Sequence, residues 1–346
     1  MQKRALIKKL IAGETVERCG FWLGMPDQQT WPILHRYFGT ENEEELRLQL
    51  GDDCRWICPQ FSAGVYQDPH GRALFDPLVK RENTSLGCAG PLANCETLAE
   101  VAAYPWPDVQ YLHFDSCLNK LQNAGDVYRF SGMWTCFYHD LIGLFGMEEY
   151  MMKMYIDPDI VKAATDRVCE FYYAANEKFF AEAGDMVDGY FFGNDFGTQL
   201  SLICGPDQLD EFIMPWFRRF TAQGKEHGYQ VILHSCGSIY NYIDRLIDAG
   251  IDCLHPLQAK AANMEAEHLA AQFKGRIAFM GGIDTQYLLS HGTPEEIMAD
   301  VRRVKTALGP NLIVSPSHEA ILPDVPPANV EAMAKAALEG GLSTTP

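Results

Sequence analysis

The sequence predicts an α/β fold, a (β/α)8 TIM barrel, and three observations carry that prediction. Short apolar runs alternate with amphipathic helical stretches in units of about 25 to 40 residues, the pattern of parallel strands joined by right-handed crossovers. The number of such units approaches eight, as a closed barrel requires. No Gly-rich phosphate loop follows an early strand, which disfavours an open doubly wound sheet. With 346 residues, 47% hydrophobic and 21% charged, the chain has ample core for one barrel domain spanning 1–346. A helical and loop extension is expected at its N-terminus, and an irregular insertion over 54–110.

Residues 3–12 read as a short amphipathic helix ended by Gly13, and Val16 to Leu23 as a first strand closed by Gly24-Met25-Pro26-Asp27. From 28 to 50 Trp31, Leu34, Phe38, Leu46 and Leu50 recur at helical spacing, with Thr40-Glu41-Asn42-Glu43 as a cap between two helices. Residues 54 to 90, with Phe61, Tyr66, Phe75 and a Gly71-Arg72 turn, suit short strands or a hairpin. Tyr104-Pro105-Trp106-Pro107 is a connector, because each proline removes a donor and restricts the residue before it. Asp126 to Met133 is a strand, Thr135 to Phe145 and Met147 to Tyr155 are helical, and Asp157-Pro158 opens a long helix with a core-facing stripe from Ile160 to Phe179. After Gly184 the alternation is regular, with strands at 189–193, 229–234, 251–255, 276–280 and 312–314. Helices over 206–227, 239–249, 263–273 and 293–308 separate them, and one over 327–338 follows the last. Thr293-Pro294-Glu295-Glu296 carries a full start signal: cap, first-position proline and third-position glutamate.

A net charge of −18 argues against nucleic acid or an anionic membrane as partner, since either demands a basic face. The apolar runs are too short to cross a bilayer, and lysines interrupt the first one, so a cytoplasmic protein is expected. Eleven cysteines without framework spacing fit reduced thiols. Cys54 and Cys58 lack a second pair nearby to complete a tetrahedral site and read as packing.

The chemistry is expected around Val231-Ile232-Leu233-His234-Ser235-Cys236-Gly237. Period-2 alternation sends the imidazole and the thiol to one side of a strand end, where one metal ion or one substrate touches both. The alternative is a core histidine beside a buried free cysteine. In a barrel the carboxyl ends of the strands converge on one mouth, which gathers Asp195, His234, Cys236, His255, Gln258, Asp284, His318 and Glu319. His234, Cys236 and His318 supply three N/S ligands for zinc with the fourth position open, as in a catalytic site. Asp195, Gln258 or Glu319 then serves as a fourth ligand or supports the others. His318 reads equally as a hydrogen-bond donor to an anionic substrate, Asp195 as a general acid/base or a turn cap, and Asp284 as a helix cap. Trp22, Trp134, Tyr138, Phe192 and Phe196 are aromatic walls for a flat substrate, or core.

In Ile232-Leu233-His234-Ser235-Cys236-Gly237, Gly281-Gly282-Ile283-Asp284, Ser317-His318-Glu319-Ala320-Ile321-Leu322-Pro323, Pro326-Pro327-Ala328-Asn329-Val330 and Asp157-Pro158, the chain resembles the uroporphyrinogen decarboxylase superfamily along nearly its whole length. That resemblance implies the same barrel fold and two kinds of activity: the heme-pathway decarboxylase, and cobalamin-linked methyltransferases acting on methylated thiols, methanol-derived methyl groups and aryl methyl ethers. The decarboxylase's arginine-rich N-terminal segment and early aspartate are replaced here by Phe21-Trp22-Leu23-Gly24-Met25 and Ile57-Cys58-Pro59. A substrate with many carboxylates meets few cations there. The methyltransferase branch binds zinc through a His-x-Cys pair and a later cysteine. His234 and Cys236 match the pair, whereas His318 stands at the later position and Gln258 where an acid is expected. The implied activity is a zinc-dependent methyltransferase serving a corrinoid protein. No Asp-x-His-x-x-Gly corrinoid motif occurs, so cobalamin enters only through that partner. A metal-free carboxy-lyase using Asp195 and His318, and a non-catalytic small-molecule-binding barrel, are the alternatives, and a homodimer is an open expectation.

Overall fold

The computed structural model describes residues 1–72, 74 and 87–340. Its strands are β1 (Gly20–Phe21), β2 (Cys54–Trp56), β3 (Tyr128–Ser131), β4 (Gly189–Gly193), β5 (Gln230–His234), β6 (Cys253–His255), β7 (Ala278–Ile283) and β8 (Leu312–Pro316). They form one parallel sheet in the order β1-β8-β7-β6-β5-β4-β3-β2. Because β8 returns to β1, the sheet curls into the predicted (β/α)8 barrel. The seam lies between β1 and β2, where a carboxylate replaces a ladder. The Asp53 backbone N–H donates to the Phe21 carbonyl at 2.9 Å, its Oδ2 accepts the Phe21 N–H at 2.9 Å, and Arg18 grips it with bonds of 2.7 and 2.8 Å. Asp53 is fully buried, and the two-pronged guanidinium offsets its lost hydration.

Strand side chains alternate between two layers. Phe191, Ile232, Cys253, Met280 and Ile313 fill the barrel interior, while Phe192, Leu233, Leu254, Phe279 and Val314 belong to the larger cluster shared with the helices. Helix Lys3–Ile11 plugs the amino-terminal end: Leu6, Ile7, Leu10 and Ile11 join the interior cluster. Each such burial stabilises by about 1.5–3 kcal/mol. Arg4 and Lys8 fix that helix to the buried Asp188 at 2.8 and 2.6 Å. The opposite end is thereby left as the barrel's open mouth.

Most elements stand where the periodicity put them, and the exceptions have local causes. Cys54–Trp56, read as the start of an irregular insertion, is a barrel strand registered on Tyr128–Phe130. Its three residues follow two aspartates that look like loop but are buried against Arg47 and Arg18. The helix expected over 206–227 contains a π turn at Leu209–Ile213 before Met214–Glu226. Pro215, which has no N–H to donate, sits just beyond that turn. Asn42 caps its helix by accepting from the Glu45 N–H at 3.0 Å, and Thr293 with Glu296 forms the expected capping box. Phe75 lies outside the described residues. Among the described residues no helix is long and apolar enough to cross a membrane.

Removing the seam carboxylate strands a largely buried arginine. Asp53→Ala is therefore expected to cost about 3 kcal/mol in urea unfolding, against about 1 kcal/mol for Thr293→Ala at the capping box.

Candidate functional site

His234, the last residue of β5, is 5% exposed and has both ring nitrogens engaged. Its Nε2 lies 3.3 Å from Cys236 Sγ and 3.3 Å from Asp195 Oδ1. Its Nδ1 lies 3.1 Å from His255 Nδ1, at the end of β6, and 3.6 Å from Glu319 Oε2, beyond β8. The turn after β5 makes this convergence possible. Gly237 has φ of +87°, and a Cβ there would meet the Gly197 carbonyl carbon at 2.3 Å, so only glycine lets the two loops touch. Asp195 Oδ1 accepts the Cys236 N–H at 2.8 Å across that contact, and its Oδ2 faces His139 Nε2 at 3.3 Å. Gln258 Oε1 accepts from the Gly237 N–H at 2.9 Å and from Gln199 at 3.1 Å, fastening the loops after β4, β5 and β6.

The electrostatics follow from this crowding. Burial disfavours a charged His234, yet Glu319, Cys236 and the bond to Asp195 outweigh it and hold the imidazole well above its usual range. Burial likewise opposes ionised Asp195, but hydrogen bonds from His139 and His234 keep it well below the usual carboxylate range. Burial raises the Cys236 thiol in spite of His234 beside it. Burial and the neighbouring His234 and His318 push His255 far down, so it stays neutral.

Asp195, His234 and Cys236 each offer a ligand atom, all within 4.8 Å of one another; His234, His255 and Glu319 form a second such trio. A carboxylate from the loop after β4, with an imidazole from the end of β5 and a thiolate from its turn, is a donor set that zinc accepts. Glu319 Oε2 is buried without a hydrogen-bond partner, an acceptor left over beside the cluster. The residues present therefore fit a divalent ion.

The other expected site residues are placed differently. His318 belongs to neither trio: its side chain is 42% exposed, and its Nδ1 accepts the Ala320 N–H at 3.2 Å, which leaves the proton of a neutral ring on Nε2. It lines a cavity of about 150 Å³ with Gln258, Lys260, Thr285 and Ser317. Asp284 accepts from the Gln286 and Leu288 N–H groups at 2.9 and 3.2 Å, the helix-cap alternative. Trp22 lies in the barrel interior beside His255, its ring centroid 5.3 Å away. Tyr138 and Phe196 are 0% and 1% exposed and pack in the outer core, where Phe196 meets Phe217 and Tyr242. Tyr138 lies inside the helix Phe137–Phe145, and its hydroxyl donates to Cys204 Sγ at 3.5 Å. Trp134 does wall the site, its ring 5.3 Å from that of His234. Gly193 makes room for it, since a Cβ there would meet the indole at 2.2 Å. Sequence reasoning missed His139, although it follows a strand end as the other candidates do, and Trp56, whose ring lies 4.8 Å from that of Trp134.

A barrel with titratable groups converging at the carboxyl ends of its strands has the layout in which TIM-barrel enzymes keep their active sites. Within that class, the chain belongs to the uroporphyrinogen decarboxylase (URO-D) family, whose model matches residues 132–339. Its fold is similar to that of a methyltransferase from Methanosarcina mazei, with a TM-score of 0.69 and 16% identity over 97% of this chain and 98% of that one. At this identity the likeness is one of fold. No curated protein matches the sequence.

The pKa directions set the sign of a pH dependence. His234 is raised on folding, so its contribution is full below the unfolded imidazole value and is lost as pH rises through the folded one. His255 is lowered, so its contribution is present above the unfolded value and is lost only in acid. Metal-free protein should therefore lose thermal stability as pH rises above the ordinary imidazole range, with a smaller slope in His234→Gln. Added zinc, which needs a deprotonated ring and thiol, should stabilise increasingly over the same rise. Melting curves with and without zinc check both.

Proposed function

We propose that this chain is a zinc-dependent methyltransferase that moves a methyl group from a small donor, with an aryl methyl ether as the first candidate, to a corrinoid carried by a partner protein. The observation that carries this reading is the Asp195, His234 and Cys236 trio, whose three ligand atoms lie within 4.8 Å at the barrel mouth. The likeness in fold to the methyltransferase from Methanosarcina mazei is in keeping with it. Asp195, His234 and Cys236 would hold the zinc, which would supply Lewis-acid polarisation of a donor oxygen or sulfur.

The chain's own residues do the rest. Trp134 and Trp56, tilted at 53° with centroids 4.8 Å apart, offer ring faces to a flat donor. The partly exposed His139 pairs with Asp195 and can pass a proton from solvent to the oxygen left by the departing methyl group. His318, with its Nε2 proton free, orients a polar substituent near the adjoining cavity. Among the described residues no lysine or arginine forms an ion pair with Asp195 or Glu319. Lys260, which lines the adjoining cavity, stands 3.8 Å from Asp284, so a substrate with many carboxylates meets few uncommitted cations.

A metal-free carboxy-lyase is the second reading, supported by the His139–Asp195–His234 array, which can hold and pass a proton without an ion. Transfer from a panel of methoxylated aromatics to added cob(I)alamin, followed by its visible spectrum, separates the two. Turnover is expected with zinc and should fall about 100-fold or more in Cys236→Ser and in Asp195→Ala. Full turnover after zinc is stripped, or carbon dioxide release from a carboxylic acid without metal, would refute the methyltransferase reading.

A further inference from the structure

We infer that His255 is a positioning residue for the metal site: it accepts a hydrogen bond from His234 Nδ1 and so fixes His234 in the tautomer whose Nε2 lone pair faces Asp195 and Cys236. This rests on the metal reading above. The two Nδ1 atoms are 3.1 Å apart, a separation at which one must donate and the other accept. Two features set the direction. Glu319 Oε2, buried and without a hydrogen-bond partner, stands 3.6 Å from His234 Nδ1 and favours a proton on that atom. His255 is 0% exposed, between the rings of Trp22 and Phe191 at 5.3 and 5.4 Å, where an apolar wall disfavours charge. A neutral His255 that accepts at Nδ1 carries its proton on Nε2, and that nitrogen is buried without a partner.

The arrangement answers a requirement of metal-binding histidines, whose second nitrogen needs an acceptor to hold ring and tautomer. A carboxylate or carbonyl usually supplies it. Here a second imidazole from the neighbouring strand is in place, registered by the His234↔His255 pair of β5 and β6.

The test combines two readouts that do not depend on turnover. In protein labelled with 15N-histidine, nitrogen chemical shifts of the zinc-loaded form should place the proton on Nδ1 of His234 and on Nε2 of His255. Zinc affinity, measured by chelator competition, should fall about 10- to 100-fold in His255→Leu. It should return to within a few-fold of wild type in His255→Asn, whose amide oxygen can occupy the place of Nδ1. Melting curves establish that the variants fold; if His255→Leu does not, the shifts in wild type decide alone. A proton on His255 Nδ1, or a His255→Leu protein that binds zinc like wild type, would overturn the inference and leave the metal site standing. Wild-type protein that binds no zinc would remove the metal reading and the inference together.

Discussion

The site depends on one carboxylate in three contacts. Asp195 Oδ1 takes the Cys236 N–H and faces His234 Nε2, while Oδ2 faces His139. It thereby joins the loop after β4 to the turn after β5 and to the helix that follows β3. Two glycines, Gly197 and Gly237, allow that approach by leaving no Cβ between the backbones. A parallel barrel supplies the convergence of strand ends. The carboxylate turns convergence into a cluster with ligand geometry, and the cost of crowding charged groups appears as opposed shifts of Asp195 and His234.

Charge elsewhere in the barrel is consumed by structure. The arginines nearest β1 and β2 serve closure and loops: Arg18 on Asp53, Arg47 on Asp52 and the Gly24 carbonyl, Arg55 on Glu44. Gly24, with φ of +82°, lets Met25 donate to the Glu319 carbonyl at 2.7 Å, which anchors the loop bearing the Glu319 carboxylate. The β1 segment brings no cation to the mouth: Trp22 is buried in the barrel interior, and Gly24 and Met25 form a backbone clamp. The family is thus expressed here with a mouth of indoles, imidazoles and carboxylates.

Much of this was legible in the sequence. The strands from Gly189 onward were readable because parallel barrel strands are buried on both faces and appear as bounded apolar runs. The Thr293 box and the Asn42 cap were readable because capping is local chemistry. The pairing of His234 with Cys236 followed from period-2 alternation. What sequence could not give was the direction of side chains beyond a strand end. Tyr138 and His139 are adjacent, yet one packs in the outer core and the other faces Asp195. Asp195 approaches His234 more closely than His318 does because the glycine contact sets loop positions by tertiary fit. Cys54–Trp56 was hidden because its buried aspartates carry the signature of a loop.

The central claim is that Asp195, His234 and Cys236 bind one metal. X-ray absorption at the zinc edge of the loaded protein tests it most directly. The account predicts a first shell with a single sulfur among nitrogen and oxygen donors, and loss of that sulfur in Cys236→Ser. A shell without sulfur, or with more than one, would contradict it.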